Sequence, residues 1–554
     1  MKSAREELLD VQKRLVKRFK RDIDESIGLL SPELAEYKKE YEREFRRYRI
    51  SNKAELVGEL VRSDVVFVAD YHTLKHSQLT LVAILEEFLR AGRDIVLCVE
   101  MVETGRQDVL DAFMRGDVKD EEFLRQIDYE ESWGFPWSNY RPVFEFAKKH
   151  DIRVVGINSR PARGKGGLKK RDGLAGEVVA GEVLANPGAA VVVHDGDLHI
   201  AAKHLPGEVA LVLQGERGEK RFLRIFQNSE RIYWKLAGTP GEQADVVRLR
   251  RDAFCVMSST PLVKYQSYLN WEANRDELTP VISSNWMLSD QKSIDISEQM
   301  KEIIDTIAGF FEIKRDDLGD FQLYTTGDLD FFRQLRDDHR YSEKEIQDIT
   351  VQILKGESYF ITREHIIYLG NLSISHAAEE ATHFIDHQCG GDLEGPLEQA
   401  QDFYYRAMRE ALGWLGSKVI NPKRICTGEK DFRDFLERNA GRKLNPKQEQ
   451  TRRISRYVVQ HKTMERKLFK SRARKRTGRY PAPTLRNIYR LPVSLHLGVT
   501  HGLGYMLGEG LYNALLLGRV NKEEIRTLFY EKYQAPDRPF EVYMRCAERL
   551  EAAQ

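Results

Sequence analysis

Cysteine is scarce in this chain: five residues among 554, with no two spaced as a CxxC pair. That argues against a disulfide framework and favours reduced thiols in a reducing compartment. Long apolar runs are also missing, so no segment reads as a membrane span. The opening stretch MKSAREELLDVQKRLVKRFKRDIDE is charged throughout. It lacks the apolar centre of a signal peptide, and no cysteine precedes Cys98 to take a lipid anchor, which points to the cytoplasm. An excess of charge of one sign is absent as well. The net charge is +1 with 31% charged residues, so the whole chain gives no reason to invoke nucleic acid. Internal repeats and low-complexity tracts are not found.

The length exceeds what one hydrophobic core usually supports. Three segments differ in pattern. Residues 1–55 read as a helical arm, with Leu8, Leu9, Val11, Leu15, Val16 and Phe19 in an apolar stripe and Ser31-Pro32-Glu33 as a cap and restart. Residues 56–275 alternate short β-branched runs (DVVFVADYH, RDIVLCVEM, DIRVVGINS, AAVVVHDGDLH, EVALVLQGE) with helical stretches such as LTLVAILEEFLRAG, where Gly92 stands at a helix end. This predicts an α/β domain with a largely parallel sheet flanked by helices. Residues 276–554 read as a mainly α-helical second domain, with a hairpin candidate at ESYFITREHIIYLG.

The first strand, VVFVAD, runs directly into Tyr71-His72, where a simple turn would use Gly, Asn or Pro. Ligands of a parallel sheet bind beyond the carboxyl ends of its strands. The predicted strands end in Asp70 and His72, in Glu100, in Asn158 and Arg160, and in His194, Asp195, Asp197 and His199. Imidazoles on different strands with carboxylates between them suit a first-row divalent metal such as Zn, Mn or Fe, with a second carboxylate to polarise water. The same groups suit a haem, with Tyr71 or Tyr140 as axial partners. Helix capping is the bland alternative for any one of them.

Residues 62–270 resemble the ChaN-like haem-binding domain of the Tiki/TraB/EreA superfamily. Ala69-Asp70-Tyr71-His72 and Gly196-Asp197-Leu198-His199 correspond to its paired GxxH motifs, Glu100 to its glutamate after the second strand, and Trp133, Trp137 and Tyr140 to its W-x-x-x-W-x-x-Y segment, followed by Asn158 and Arg160. Ala69-Asp70 replaces the usual Gly-Glu. The resemblance implies haem or a divalent metal as the ligand and a homo-oligomer as a partner state. By their place at the strand ends, His72, Glu100 and His199 are read as the metal-holding residues, Asp70 as an acid–base group, and Tyr71, Tyr140, Arg160 and His194 as facing the ligand.

A second unusual stretch is LSISHAAEEATHFIDH, in which His376, Glu380, His383 and His387 share one helix face. An EExxH sequence stands where gluzincin-type peptidases, which it resembles over this helix, have HExxH. That picture gives Glu379 and His383 to a metal, Glu380 to water activation, Glu509 in THGLGYMLGEGLY as third ligand, and REHIIYLG as a cleft-edge strand. A structural helix is the alternative. Residues 461–480 carry nine Lys/Arg against one Glu, read as a solvated helix face before a nucleic-acid surface. Three functions follow: haem or metal binding in iron or haem handling, a metal-dependent hydrolase of ester or peptide bonds, or a non-catalytic interaction protein.

Overall fold

The computed structural model describes residues 2–159, 167–215, 219–275, 296–325, 335, 341–354, 357–391, 397–475, 480 and 485–551. Arg160, one of the residues singled out above, lies outside them. The chain forms two compact units: Lys13–Ser289, and Met1–Gln12 with Asp290–Gln554.

In the first unit eight strands form one sheet: β1 (Arg49–Ser51), β2 (Val65–Asp70), β3 (Ile95–Glu103), β4 (Arg153–Asn158), β5 (Ala190–Gly196), β6 (Phe222–Gln227), β7 (Val246–Arg250) and β8 (Ala253–Val256). The spatial order is β1-β7-β8-β6-β2-β5-β3-β4. The six strands from β8 to β4 are mutually parallel, and β7 and β1 add an antiparallel edge. Burial explains the continuous apolar runs: β2 and β5 are covered on both faces, by two separate clusters of apolar side chains. Gly92 has φ +68°, the left-handed conformation that ends the helix Lys75–Arg90 without a Cβ penalty. Ser31 caps the helix Pro32–Glu44 by accepting from the Leu34 amide at 3.2 Å. From that helix Tyr37 and Phe45 are buried within the same unit, and β1 pairs with β7, so this part of the expected arm belongs to the α/β unit.

One expected strand is a helix. EVALVLQGE falls largely in Leu205–Val212, and the strand that follows is RFLRIFQ, β6. Two parallel strands need a crossover between them, and Pro206 in the first helical turn favours the helix. Val209 is buried, and its backbone packs so closely on Gly176 that a Cβ there would sit 3.3 Å from the Val209 nitrogen.

The second unit is mostly helical, with a small sheet of β9 (Gln322–Thr325), β10 (Tyr359–Ile361) and β11 (Ile366–Leu369). The predicted hairpin is β10–β11. Because β11 lies between β10 and β9, both its edges are paired, and it offers no free edge for a peptide. Two helices, Gln399–Ile420 and Val493–Leu516, approach closely at Gly504 and Gly508. A Cβ on Gly504 would lie 2.6 Å from the Ala407 carbonyl oxygen, and one on Gly508 2.3 Å from that of Ala411. Residues 461–475 of the basic run lie on the helix Pro446–Lys475, where Met464, Leu468 and Phe469 are buried while Arg466 pairs with Glu429 and Arg472 with Glu548; residues 476–479 lie outside the described ones. Among the described residues no helix is long and apolar enough to cross a membrane.

Overpacking against a backbone carbonyl has no flexible side chain to absorb it. Gly508→Ala is therefore expected to lower the stability of the second unit by about 1–3 kcal/mol, measured as a fall in urea midpoint. An unchanged midpoint would show that the helices can part.

Candidate functional site

Strands β2, β5 and β3 are neighbours, so their carboxyl ends bring Asp70, Gly196 and Glu100 side by side. The β3–β4 ladder loses register between Val99 and Glu103, the stretch that contains Glu100. Gly156 on β4 permits the irregularity, since a Cβ there would meet the Val102 carbonyl oxygen at 2.7 Å. Such bulges re-aim a side chain at a sheet rim.

Asp70 is buried and fully engaged. Gln78 donates to Oδ1 at 2.6 Å, the Tyr140 hydroxyl donates to Oδ2 at 2.7 Å, and His72 Nδ1 lies 2.9 Å from Oδ2. Burial alone would raise this carboxyl, but the facing imidazoles of His194 and His72 outweigh it and hold it below the ordinary value. Through this contact Asp70, expected from sequence as an acid–base group, fixes the orientation of the His72 ring. Tyr140 is committed to Asp70 in the interior.

His72 Nε2 is 3.9 Å from Glu100 Oε2, and its ring centroid lies 4.6 Å from those of both Trp133 and Phe135. Burial disfavours the charged ring, but the Asp70 carboxylate prevails and raises it to about 8. His194 lies deeper, its Nε2 3.7 Å from Asp70 Oδ1. Burial lowers its affinity for a proton. His194 Nε2 and Trp133 Nε1 are both buried without a hydrogen-bond partner. Tyr71 sits under Lys264, whose Nζ is 4.3 Å from the ring centroid and 3.2 Å from Asp197 Oδ2.

Around Gly196 the remaining groups converge. Its amide donates to Glu100 Oε2 at 2.9 Å, and a Cβ on it would stand 3.4 Å from Glu100 Oε2, His199 Cδ2 and His72 Cε1. Arg171 donates to Glu100 Oε1 at 2.8 Å and to Asn158 Oδ1 at 3.2 Å. Glu100, Asp195 and His199 each offer a ligand atom within 4.8 Å of the others. Burial would raise Glu100, yet His72, His199 and Arg171 bring it down to about 2. Asp195 moves the opposite way, well above its ordinary value, because it is buried beside the Glu100 charge. His199 Nδ1 lies 2.5 Å from Asp172 Oδ1, and Tyr37 donates to the other Asp172 oxygen at 3.0 Å. Burial opposes protonation of His199, but Asp195 and Asp172 raise it to about 9.

With this geometry stated, the likeness to known proteins can be given. Residues 56–163 match the family described as haem-binding uptake, Tiki superfamily, ChaN. Two solved structures are similar: one titled for cofacial heme binding to ChaN of Campylobacter jejuni (13% identity, 32% of this chain and 86% of that one, TM-score 0.24), and the type III effector HopBA1 (16% identity, 38% and 95%, TM-score 0.28). No curated protein matches this chain. The family segment contains Asp70, His72, Glu100 and Tyr140, while His194, Asp195 and His199 lie beyond it.

Arg171, Asp172 and Gln78 were not expected from the sequence. Arg171 and Asp172 end a charged run, Lys169 to Asp172, in the helix Gly167–Ala185, and only burial of Asp172 sets that pair apart from the rest of the run. In the second unit, Glu379, Glu380 and His383 share the buried helix Ile374–Gly390. Glu379 is held by Arg424 at 2.7 Å and by the Tyr505 hydroxyl, and His383 Nδ1 lies 3.2 Å from Glu380 Oε2. Glu509, expected as a third ligand, is held by other groups: Trp414 Nε1 donates to it at 2.9 Å and Lys418 Nζ is 3.3 Å away. The carboxylate that joins Glu379 is Glu410.

The raised value for His72 has a consequence for stability. Its folded-state value, about 8, exceeds the unfolded 6.5, so the stabilisation is complete below pH 6.5 and is lost as pH rises through 8. The difference amounts to about 2 kcal/mol. In metal-free and haem-free protein, the gap in unfolding free energy between the native chain and His72→Gln should shrink by that amount from pH 6 to pH 9. A gap that stays constant or widens would show that Asp70 does not hold a proton on His72.

Proposed function

We propose that the Lys13–Ser289 unit binds haem at the carboxyl-terminal rim of the sheet, with His72 as the iron-ligating group, and that the protein serves in haem or iron handling. The observation that supports this reading is the setting of the His72 imidazole. Asp70 occupies Nδ1 at 2.9 Å and fixes the ring, which leaves Nε2 as the donor. Trp133 and Phe135 flank the ring at 4.6 Å, both inclined to it, and give the rim beside Nε2 an aromatic, apolar wall of the kind a porphyrin packs against. Among the described residues, Arg171 and Lys264 are cations beside this rim that would meet propionates. The unpartnered indole nitrogen of Trp133 fits a polar group arriving from outside. The donor set therefore suits the group, and bound haem would supply a redox-active iron. Tyr140 and Gln78 hold Asp70, and Asn139 donates to the Thr73 carbonyl at 3.2 Å, steadying the loop that carries His72. The family match over residues 56–163 supports the ligand class.

A second reading rests on Glu100, Asp195 and His199. Two carboxyl groups and an imidazole oriented by Asp172 form a donor set for a divalent metal. A metal there would lower the pKa of a bound water, and the strand-end carboxyls would take its proton in hydrolysis.

Haem titrated into the full chain should give a Soret band that saturates, and His72→Ala should weaken binding at least tenfold. No Soret change with the native chain, or an identical titration with His72→Ala, would defeat the haem reading. Stoichiometric Zn2+ abolished by Glu100→Gln, in protein that takes up no haem, would favour the second.

A further inference from the structure

The helical unit carries a cluster that the strand-end site does not explain. Its helix Ile374–Gly390 supplies Glu379 and, one turn on, His383; Gln399–Ile420 supplies Glu410; Val493–Leu516 supplies His501. One ligand atom from each of Glu379, Glu410 and His501 lies within 4.8 Å of the other two. His501 Nδ1 is 3.0 Å from Glu410 Oε2, and its ring centroid lies 3.7 Å from that of Tyr505. The close approach of the two longer helices at Gly504 brings Glu410 toward His501, because a Cβ at Gly504 would lie 2.4 Å from the Glu410 Cβ.

An independent observation points to a ligand. His383 is 8% exposed, its Nδ1 is engaged by Glu380, and its Nε2 is buried with no hydrogen-bond partner. That nitrogen faces Gly413, one turn beyond Glu410, where a Cβ would stand 2.4 Å from Nε2 and 3.1 Å from Glu379 Cγ. The free nitrogen and the Glu379 side chain therefore both border Gly413, between the helix that carries them and the helix that carries Glu410. A buried imidazole nitrogen left unpaired is costly unless something binds it.

We propose that Glu379, Glu410, His383 and His501 form a site for one divalent first-row transition cation in the helical unit. Two carboxylates with two imidazoles suit Fe2+, Mn2+ or Zn2+; Ca2+ and Mg2+ prefer oxygen alone. Arg424 and Tyr505 hold Glu379 by its outer contacts, and Glu380 fixes the tautomer of His383, the supporting role that carboxylates play behind metal-bound histidine. His501, half exposed, provides access from solvent. The ligands come from three helices, unlike the single-helix pair of a zincin. The proposal stands apart from the haem reading, since every residue lies in the other unit.

The test uses the full chain, stripped with a chelator and carrying Glu100→Gln and His199→Ala to silence the strand-end cluster. Titrated Co2+ should bind at one equivalent and give visible d–d bands. Glu410→Gln, His383→Gln and His501→Ala should each weaken binding at least tenfold and alter the bands, with helical content unchanged by circular dichroism. Absence of Co2+ binding in the background protein overturns the proposal. So does unchanged affinity in folded His501→Ala, the substitution least able to disturb the interior. Haem uptake, read from the Soret band in chains with an intact strand-end site, should not respond to the three substitutions, so the two readings fail separately.

Discussion

A carboxylate can be kept in a protein interior only if donors and compensating charge meet it there. The strand-end cluster is built on that constraint. Asp70 has Gln78, Tyr140 and His72; Glu100 has the Gly196 amide and Arg171; Asp172 has Tyr37 and His199. Each carboxylate fixes an imidazole or a cation, and each imidazole is presented with one nitrogen already spoken for. Remove any of these donors and the cost falls on a charge with no water to retreat to. Any ligand chemistry at the rim would depend on this prior stabilisation of buried charge.

The sheet makes the arrangement possible. Strands covered on both faces cannot carry charge along their length, so polar residues collect where the strands end. β5 lies between β2 and β3 although it comes after both in the chain. Its insertion there sets Gly196, whose amide donates to Glu100, between Asp70 and Glu100. The bulge in β3, tolerated because Gly156 lacks a Cβ, turns Glu100 toward the same point.

The helical unit solves the same problem without a sheet. Gly413, Gly504 and Gly508 let three helices approach until groups far apart in sequence, Glu379, Glu410 and His501, share one space. Arg424, Lys418 and Trp414 then sort the acidic residues: Glu509 is neutralised, while Glu379 remains beside Glu410. EExxH read along one helix placed Glu379, Glu380 and His383 on one buried element. That Glu410 and His501 lie beside Glu379 was not legible, because a helix face shows which side chains point together and not which neighbouring helix meets them.

From the chain alone, the alternation of β-branched runs with helical stretches determined a parallel sheet, since only a doubly covered strand is apolar at every position. The polar residues that break those runs marked Asp70, His72, Glu100, Asp195 and His199 at their ends, and the Trp133–Tyr140 segment supplied the resemblance to a haem-binding family. The crossover helix at Leu205–Val212 escaped, because a short apolar run has the same composition as strand or helix until its place between two parallel strands is known. Tertiary structure alone decided the supporting residues and the pairing. Arg171, Asp172 and Glu410 act through partners dozens of residues away, Gln78 through one on the preceding strand, and a carboxylate's role follows from which donor reaches it first, a matter of distance that sequence spacing does not encode.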